Sequence, residues 1–248
     1  MYLILAIILV VLFYNKWFAS QKSIIYFSYF LTLLFSISIF LCASKLGLIS
    51  FVIILPILIL YKLKALLNTK KIILILFGFI ILIAFSSKLF PAVFTRLNSI
   101  ITFNVNQLDK TSIESTTVRF LIWQEALVLI KQNILFGVSV GDTNDALYNS
   151  YQQNGITGAL EHKLNAHNQF MQTFIGMGIV GFFSLLLITL WQLIKSIIKK
   201  HFLLFIFSLL IILNFLVESM LQSMSGTLFF VFFYCIFNLT SIKQISNE

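Results

Sequence analysis

The sequence predicts an all-α, polytopic transmembrane protein of about seven spans, with one long, partly helical loop. Three observations predict it. Hydrophobic residues make up 60% of the 248 positions, charged residues only 10%, and Phe alone supplies 28. Soluble domains carry roughly 25% charged residues, so there is too little charge here to coat a globule of this size. The apolar stretches are continuous rather than alternating, which suits helices and not barrel strands. One internal stretch, 91–166, departs from this pattern and holds six of the eight acidic residues and both arginines, Arg96 and Arg119.

Seven apolar segments can be drawn: 1–13, 24–43, 46–60, 72–90, 170–194, 202–217 and 220–239. The first is short for a bilayer crossing and lacks the basic leading segment of a signal peptide. Its abrupt start inside an apolar run is expected of a truncated chain or a late start codon. The last two segments are separated only by the polar stretch 218–226. Cys42 and Cys235 both lie in apolar runs, so no disulfide framework or cysteine-based metal site is on offer.

Lysines orient the chain. Lys16 and Lys22 follow the first segment, Lys62, Lys64, Lys70 and Lys71 the third, Lys195, Lys199 and Lys200 the fifth, and Lys243 the last. With alternating spans all of these lie on one face, which the positive-inside rule makes cytoplasmic. The net charge of +9 is therefore mainly a topology signal, and no nucleic-acid partner is implied. The expected organisation is membrane helices over 1–90, an outer loop over 91–166 and membrane helices over 167–248. Within the loop, Val118, Leu121, Ile122, Ala126, Leu129 and Ile130 fall at helical spacing, as in a helix lying on or dipping into the bilayer interface. Gly137 and Gly141 break the chain, and 142–153 is expected to form a second short helix.

No HExxH, paired-carboxylate, phosphate-loop or nucleophile-elbow motif is present, so neither a metal nor a cofactor is implied. What the topology does collect is a set of polar residues at the outer face. These are Lys45 between segments two and three, Arg119 in the loop, His167-Asn168 at the mouth of segment five, and Glu218 in the last turn. Each has a plain alternative. Lys45 can anchor a helix end by snorkelling, Arg119 can bind headgroup phosphate, and His167 can cap a helix. Glu218 can be a solvated turn residue and Trp123 an interface anchor. The glycines Gly176, Gly178 and Gly181 suit close helix packing.

The order of these residues resembles the O-antigen ligase family, whose shared domain also occurs in O-antigen polymerases. The resemblance rests on Arg119-x-x-x-Trp123-x-x-Ala126, Phe136-Gly137-Val138-Ser139-Val140-Gly141, His167-Asn168-x-Phe170 and Gly176-x-Gly178-x-x-Gly181. The turn Ser44-Lys45-x-Gly47 resembles the family's Ser-Arg turn with Lys in place of Arg, and the Glu218 hairpin resembles its carboxy-terminal helices. The likeness extends over roughly 30–240. Family members usually have about a dozen spans, so the resemblance implies that several amino-terminal helices are missing here.

The resemblance implies a glycosyltransferase of the bacterial inner membrane whose active face is periplasmic. Its donor would be a glycan on undecaprenyl diphosphate and its acceptor a sugar hydroxyl of lipid A–core. In that reaction Arg119, assisted by Lys45, would stabilise charge on the leaving diphosphate, and His167 would take the acceptor proton. Trp123 and Asn168 would contribute to substrate binding, and Glu218 would hold a cation in place. Two alternatives stay open. A polymerase of O-antigen or capsule repeat units would use a second lipid-linked glycan as acceptor. A non-catalytic lipid-glycan binder or transporter subunit would need no base at all. Transport favours ionisable groups at mid-membrane, whereas these spans are nearly free of charge and the polar cluster is peripheral.

Overall fold

A computed structural model of the chain describes residues 4–8, 22–42, 44–63 and 108–245. The expected fourth span, 72–90, and most of the first lie outside the described residues, as does Arg96. Every described element is helical. The chain divides into two compact units, residues 1–102 and 103–248.

In the first unit, α1 (Lys22–Leu41) and α2 (Lys45–Leu63) touch one another. Both are apolar nearly all round, the pattern of helices that meet no water. Ser44 starts α2: its hydroxyl accepts from the backbone N–H of Gly47 at 3.2 Å, and its carbonyl accepts from Leu48 at 3.0 Å. The Ser-Lys-x-Gly turn is thus a helix N-cap, and Lys45 is the first residue of α2.

The second unit holds α3 (Ser115–Gln132), α4 (Thr143–Asn154), α5 (Thr157–Glu161), α6 (Gln169–Ile198), α7 (Phe202–Phe215), a 3-10 turn (Met220–Gln222) and α8 (Met224–Ile245). Glu114 caps α3 by accepting from the N–H groups of Thr116 and Thr117. Gly155, in the left-handed region at φ 68°, ends α4. The apolar stripe of α3 is not turned to lipid. Val118, Leu121, Ile122, Ala126 and Ile130 are buried against Leu147 and Tyr151 of α4, Ala159 of α5 and Ile175 of α6. The apolar spacing that suggested an interfacial helix is used for packing inside the protein. Helical spacing identifies a buried face without naming what covers it, and here α4 and α5 cover it.

Among the described residues one helix, α6, is long and apolar enough to cross a bilayer alone. At 1.5 Å per residue its regular part after Gly178, 179–198, extends about 30 Å, the thickness of the hydrocarbon core. The segments Phe30–Ile39, Lys45–Leu58, Phe202–Phe215 and Met224–Leu239 are shorter apolar helices. The expected last span is divided: 220–222 is a 3-10 turn and α8 begins only at Met224. α7 packs on α6 and α8 on α7. His201 is 8% exposed and caps α7, its Nδ1 accepting from Leu204 N–H at 3.1 Å.

α6 is broken at Gly178, whose φ of 64° and ψ of −159° suit glycine alone. The break releases backbone groups, and the loop after α3 takes them up. Val138 N–H donates to Ile175 O at 2.8 Å, Ser139 N–H to Gly176 O at 3.1 Å, and Ile179 N–H to Ile134 O at 2.8 Å. A Cβ on Gly178 would stand 2.3 Å from Leu135 O, and one on Gly137 2.5 Å from Ile175 O. Gly137 and Gly178 therefore serve a backbone splice between loop and helix, whereas Gly176 admits Thr143 at the start of α4, whose Oγ1 a Cβ would meet at 2.6 Å.

Candidate active site

The first turns of α3, the entry to α6 and the turn after α7 meet at one place. Arg119 lies one turn into α3 and donates from Nη2 to Glu218 Oε1 at 2.5 Å. The other carboxylate oxygen, Oε2, lies 3.1 Å from His167 Nδ1. Glu218 thus bridges the arginine and the histidine across sequence separations of 99 and 51 residues. The cluster is half-buried, with side-chain exposures of 21% for Arg119, 23% for His167 and 42% for Glu218. The cluster is open to solvent on one side, and screening there is incomplete.

His167 is held by its backbone. Its φ of 44° lies in the left-handed region, which costs a non-glycine residue about 1–3 kcal/mol and must be imposed by surroundings. Several bonds impose it. Asn165 Oδ1 accepts from His167 N–H at 3.0 Å, Trp123 Nε1 donates to Ala166 O at 3.0 Å, and Ala166 N–H donates to Gln172 Oε1 at 2.9 Å. The only N–H of the Trp123 indole is thereby spent on the residue before His167, so Trp123 positions the histidine.

Asn168 is the N-cap of α6, its Oδ1 accepting from Met171 N–H at 3.0 Å. The helix-cap reading of His167 therefore passes to its neighbour, which frees the imidazole for other work. Asn168 also secures the turn that carries Glu218: its Nδ2 donates to Leu216 O at 3.0 Å, and its N–H donates to Ser219 Oγ at 3.3 Å. Leu221 N–H donates to Gln169 Oε1 at 2.7 Å. From Gln172 an amide chain runs outward, Gln172 Nε2 to Asn144 Oδ1 at 3.0 Å and Asn144 Nδ2 to Gln222 Oε1 at 3.3 Å, joining α6, α4 and the 3-10 turn. Sequence reasoning missed Gln169 and Gln172. Their signal was a pair of amides at the start of an otherwise apolar span, where burial obliges them to find partners.

A cleft of about 320 Å³ runs beside α6. Its lining includes the polar Gln169, Gln172, Thr173 and Gln222 and the apolar Met177 and Leu185, with no charged residue. Lys45 belongs to the other compact unit. Among the described residues no group of three His, Cys, Asp or Glu is placed to hold a metal ion.

The family model for O-antigen ligase matches residues 30–186. The chain belongs to the O-antigen ligase family. The O-antigen ligase match contains Arg119, Trp123, His167, Asn168 and the glycines of the splice, whereas Glu218 lies beyond its end. Members of this family are bacterial membrane-embedded proteins of the glycosyltransferase type, associated with lipid-linked glycans. No curated protein and no solved structure matches the chain.

Proposed function

We propose that this O-antigen ligase family protein transfers a glycan from undecaprenyl diphosphate to a sugar hydroxyl of lipid A–core at the periplasmic face of the inner membrane. The observation that carries the mechanism is the Glu218 bridge between Arg119 and His167. In the transfer the acceptor oxygen bonds to the anomeric carbon, and the bond from that carbon to the diphosphate oxygen breaks. The bonding pair leaves with undecaprenyl diphosphate, and the hydroxyl proton must go to a base. With Nδ1–H donating to the Glu218 carboxylate, the lone pair of His167 is on Nε2, where it can accept that proton. The carboxylate also fixes the orientation of the ring. Arg119 has five N–H donors in a fork, and engagement of Nη2 by Glu218 leaves further donors for the departing phosphate. Glu218 thus keeps both groups in register and prevents the guanidinium from folding away.

The test is reconstitution. Protein in proteoliposomes should convert undecaprenyl-diphosphate-linked glycan and lipid A–core into glycosylated core, with release of undecaprenyl diphosphate. Product formed only when a second lipid-linked glycan replaces lipid A–core would make the protein a polymerase. Donor binding with no transfer to either acceptor would remove the enzymatic reading.

A further inference from the structure

Between α3 and α4 the chain presents a tip, Ile134-Leu135-Phe136, whose residues are 45%, 63% and 84% exposed. Three consecutive exposed apolar residues at a loop tip are costly in water and mark a surface that something apolar covers. The splice fixes where this tip lies. Ile134 O accepts from Ile179 N–H, and Val138 and Ser139 donate to the carbonyls of Ile175 and Gly176, so the tip is bonded to the interior of α6. Below the break, 179–194 is uncharged helix and extends about 24 Å, less than the roughly 30 Å of a hydrocarbon core. With the lower boundary of that core near Lys195, Gly178 lies just inside its upper edge. Irregular backbone at such depth requires its polar groups to be satisfied by protein, and the three splice bonds do this. Exposed Lys131, in the last turn of α3, stands just before the tip on a long stem that can reach lipid phosphate.

We infer that Ile134–Phe136 is a wedge inserted among the acyl chains of the outer leaflet, anchoring α3 to the bilayer from a segment otherwise placed in the periplasm. The partner is the lipid bilayer itself. The inference rests on α6 crossing the membrane and not on the transferase chemistry.

The experiment uses the full chain with Cys42 and Cys235 replaced by Ser, reconstituted in phosphatidylcholine vesicles. Single cysteines replace Phe136, Leu187 on the lipid-crossing part of α6, or Asn149 on α4, each carrying an environment-sensitive fluorophore. Lipids brominated high on the acyl chain should quench the probe at 136 and leave the one at 149 bright, and aqueous iodide should do the reverse. Lipids brominated at the chain ends should quench 187 more than 136. Quenching at 187 without quenching at 136 would overturn the wedge while leaving the span intact, as would a probe at 136 shielded from both quenchers by protein. Absence of lipid quenching at both positions would overturn the wedge and the span together. Leu135→Cys repeats the measurement should a label at 136 disturb the splice, and must agree with it.

Discussion

Glu218 meets Arg119 through one carboxylate oxygen and His167 through the other, so a single side chain controls two chemically different partners. The roles are separable by substitution. His167→Ala should lower turnover by about 10²–10⁴-fold, the usual contribution of a general base, while donor affinity holds. His162→Ala, at an exposed position five residues earlier, should leave turnover unchanged. Arg119→Ala should abolish transfer with membrane insertion intact, and Arg119→Lys should restore only part of it, because an ammonium cannot reproduce paired hydrogen bonds to phosphate. Normal steady-state transfer by either alanine variant would return that residue to a structural role. Glu218→Gln keeps one acceptor but loses the charge that favours both partners. Its expected signature is a fall in kcat smaller than that of His167→Ala, with Glu218→Asp closer to the parent. A fall confined to KM would instead place Glu218 in binding.

Elements are held together by backbone groups that helices normally keep to themselves. Gly178→Ala would bring a Cβ within 2.3 Å of Leu135 O at a conformation that non-glycine residues avoid. It should destabilise the second unit by of order 1–3 kcal/mol, read as a lower Tm in detergent, and should reduce transfer because the α6 entry carries His167. The start of α7 offers a different test. Burial disfavours the charged His201 ring and lowers its pKa from 6.5. The unfolded chain therefore binds the proton more readily than the folded one, so this contribution to stability is present above pH 6.5 and is lost as pH falls through the depressed folded value. The same direction follows from structure, since protonation removes the Nδ1 lone pair that accepts from Leu204. His201→Asn should retain a cap and lose this acid sensitivity. His201→Ala should cost about 1 kcal/mol at neutral pH. A Tm–pH curve for His201→Asn that superimposes on the parent would exclude the assignment.

For the whole molecule the decisive prediction is sidedness. α6 separates α4 from the lysines at its far end, so cysteines at Gln152 and Lys199 should react with impermeant reagents from opposite sides, 152 from the periplasm and 199 from the cytoplasm. Labelling of position 152 from the cytoplasm would invert the arrangement and remove the proposed donor and acceptor with it. Lys195, Lys199 and Lys200 gather at one end of α6, and the Arg119–Glu218–His167 cluster lies at the other.

Helix type and the motif string around Arg119 and His167 were legible in the sequence, because composition and spacing are local properties. The α4 helix was expected within a residue of its bounds for the same reason, with Gly155 marking its end. Tertiary structure alone decided which polar groups meet. Nothing in a run of residues says that Glu218 lies on Arg119 from 99 positions away, since that contact depends on how α6 and α7 pack and on Asn168 tying the turn down. Nor does local sequence say that two glycine motifs complete each other's backbone, or that α4 covers the apolar face of α3. Periodicity records that a face must be buried and that a polar group must be satisfied. Only the folded chain supplies the partner, because partners separated by long loops are chosen by packing geometry and not by any local preference.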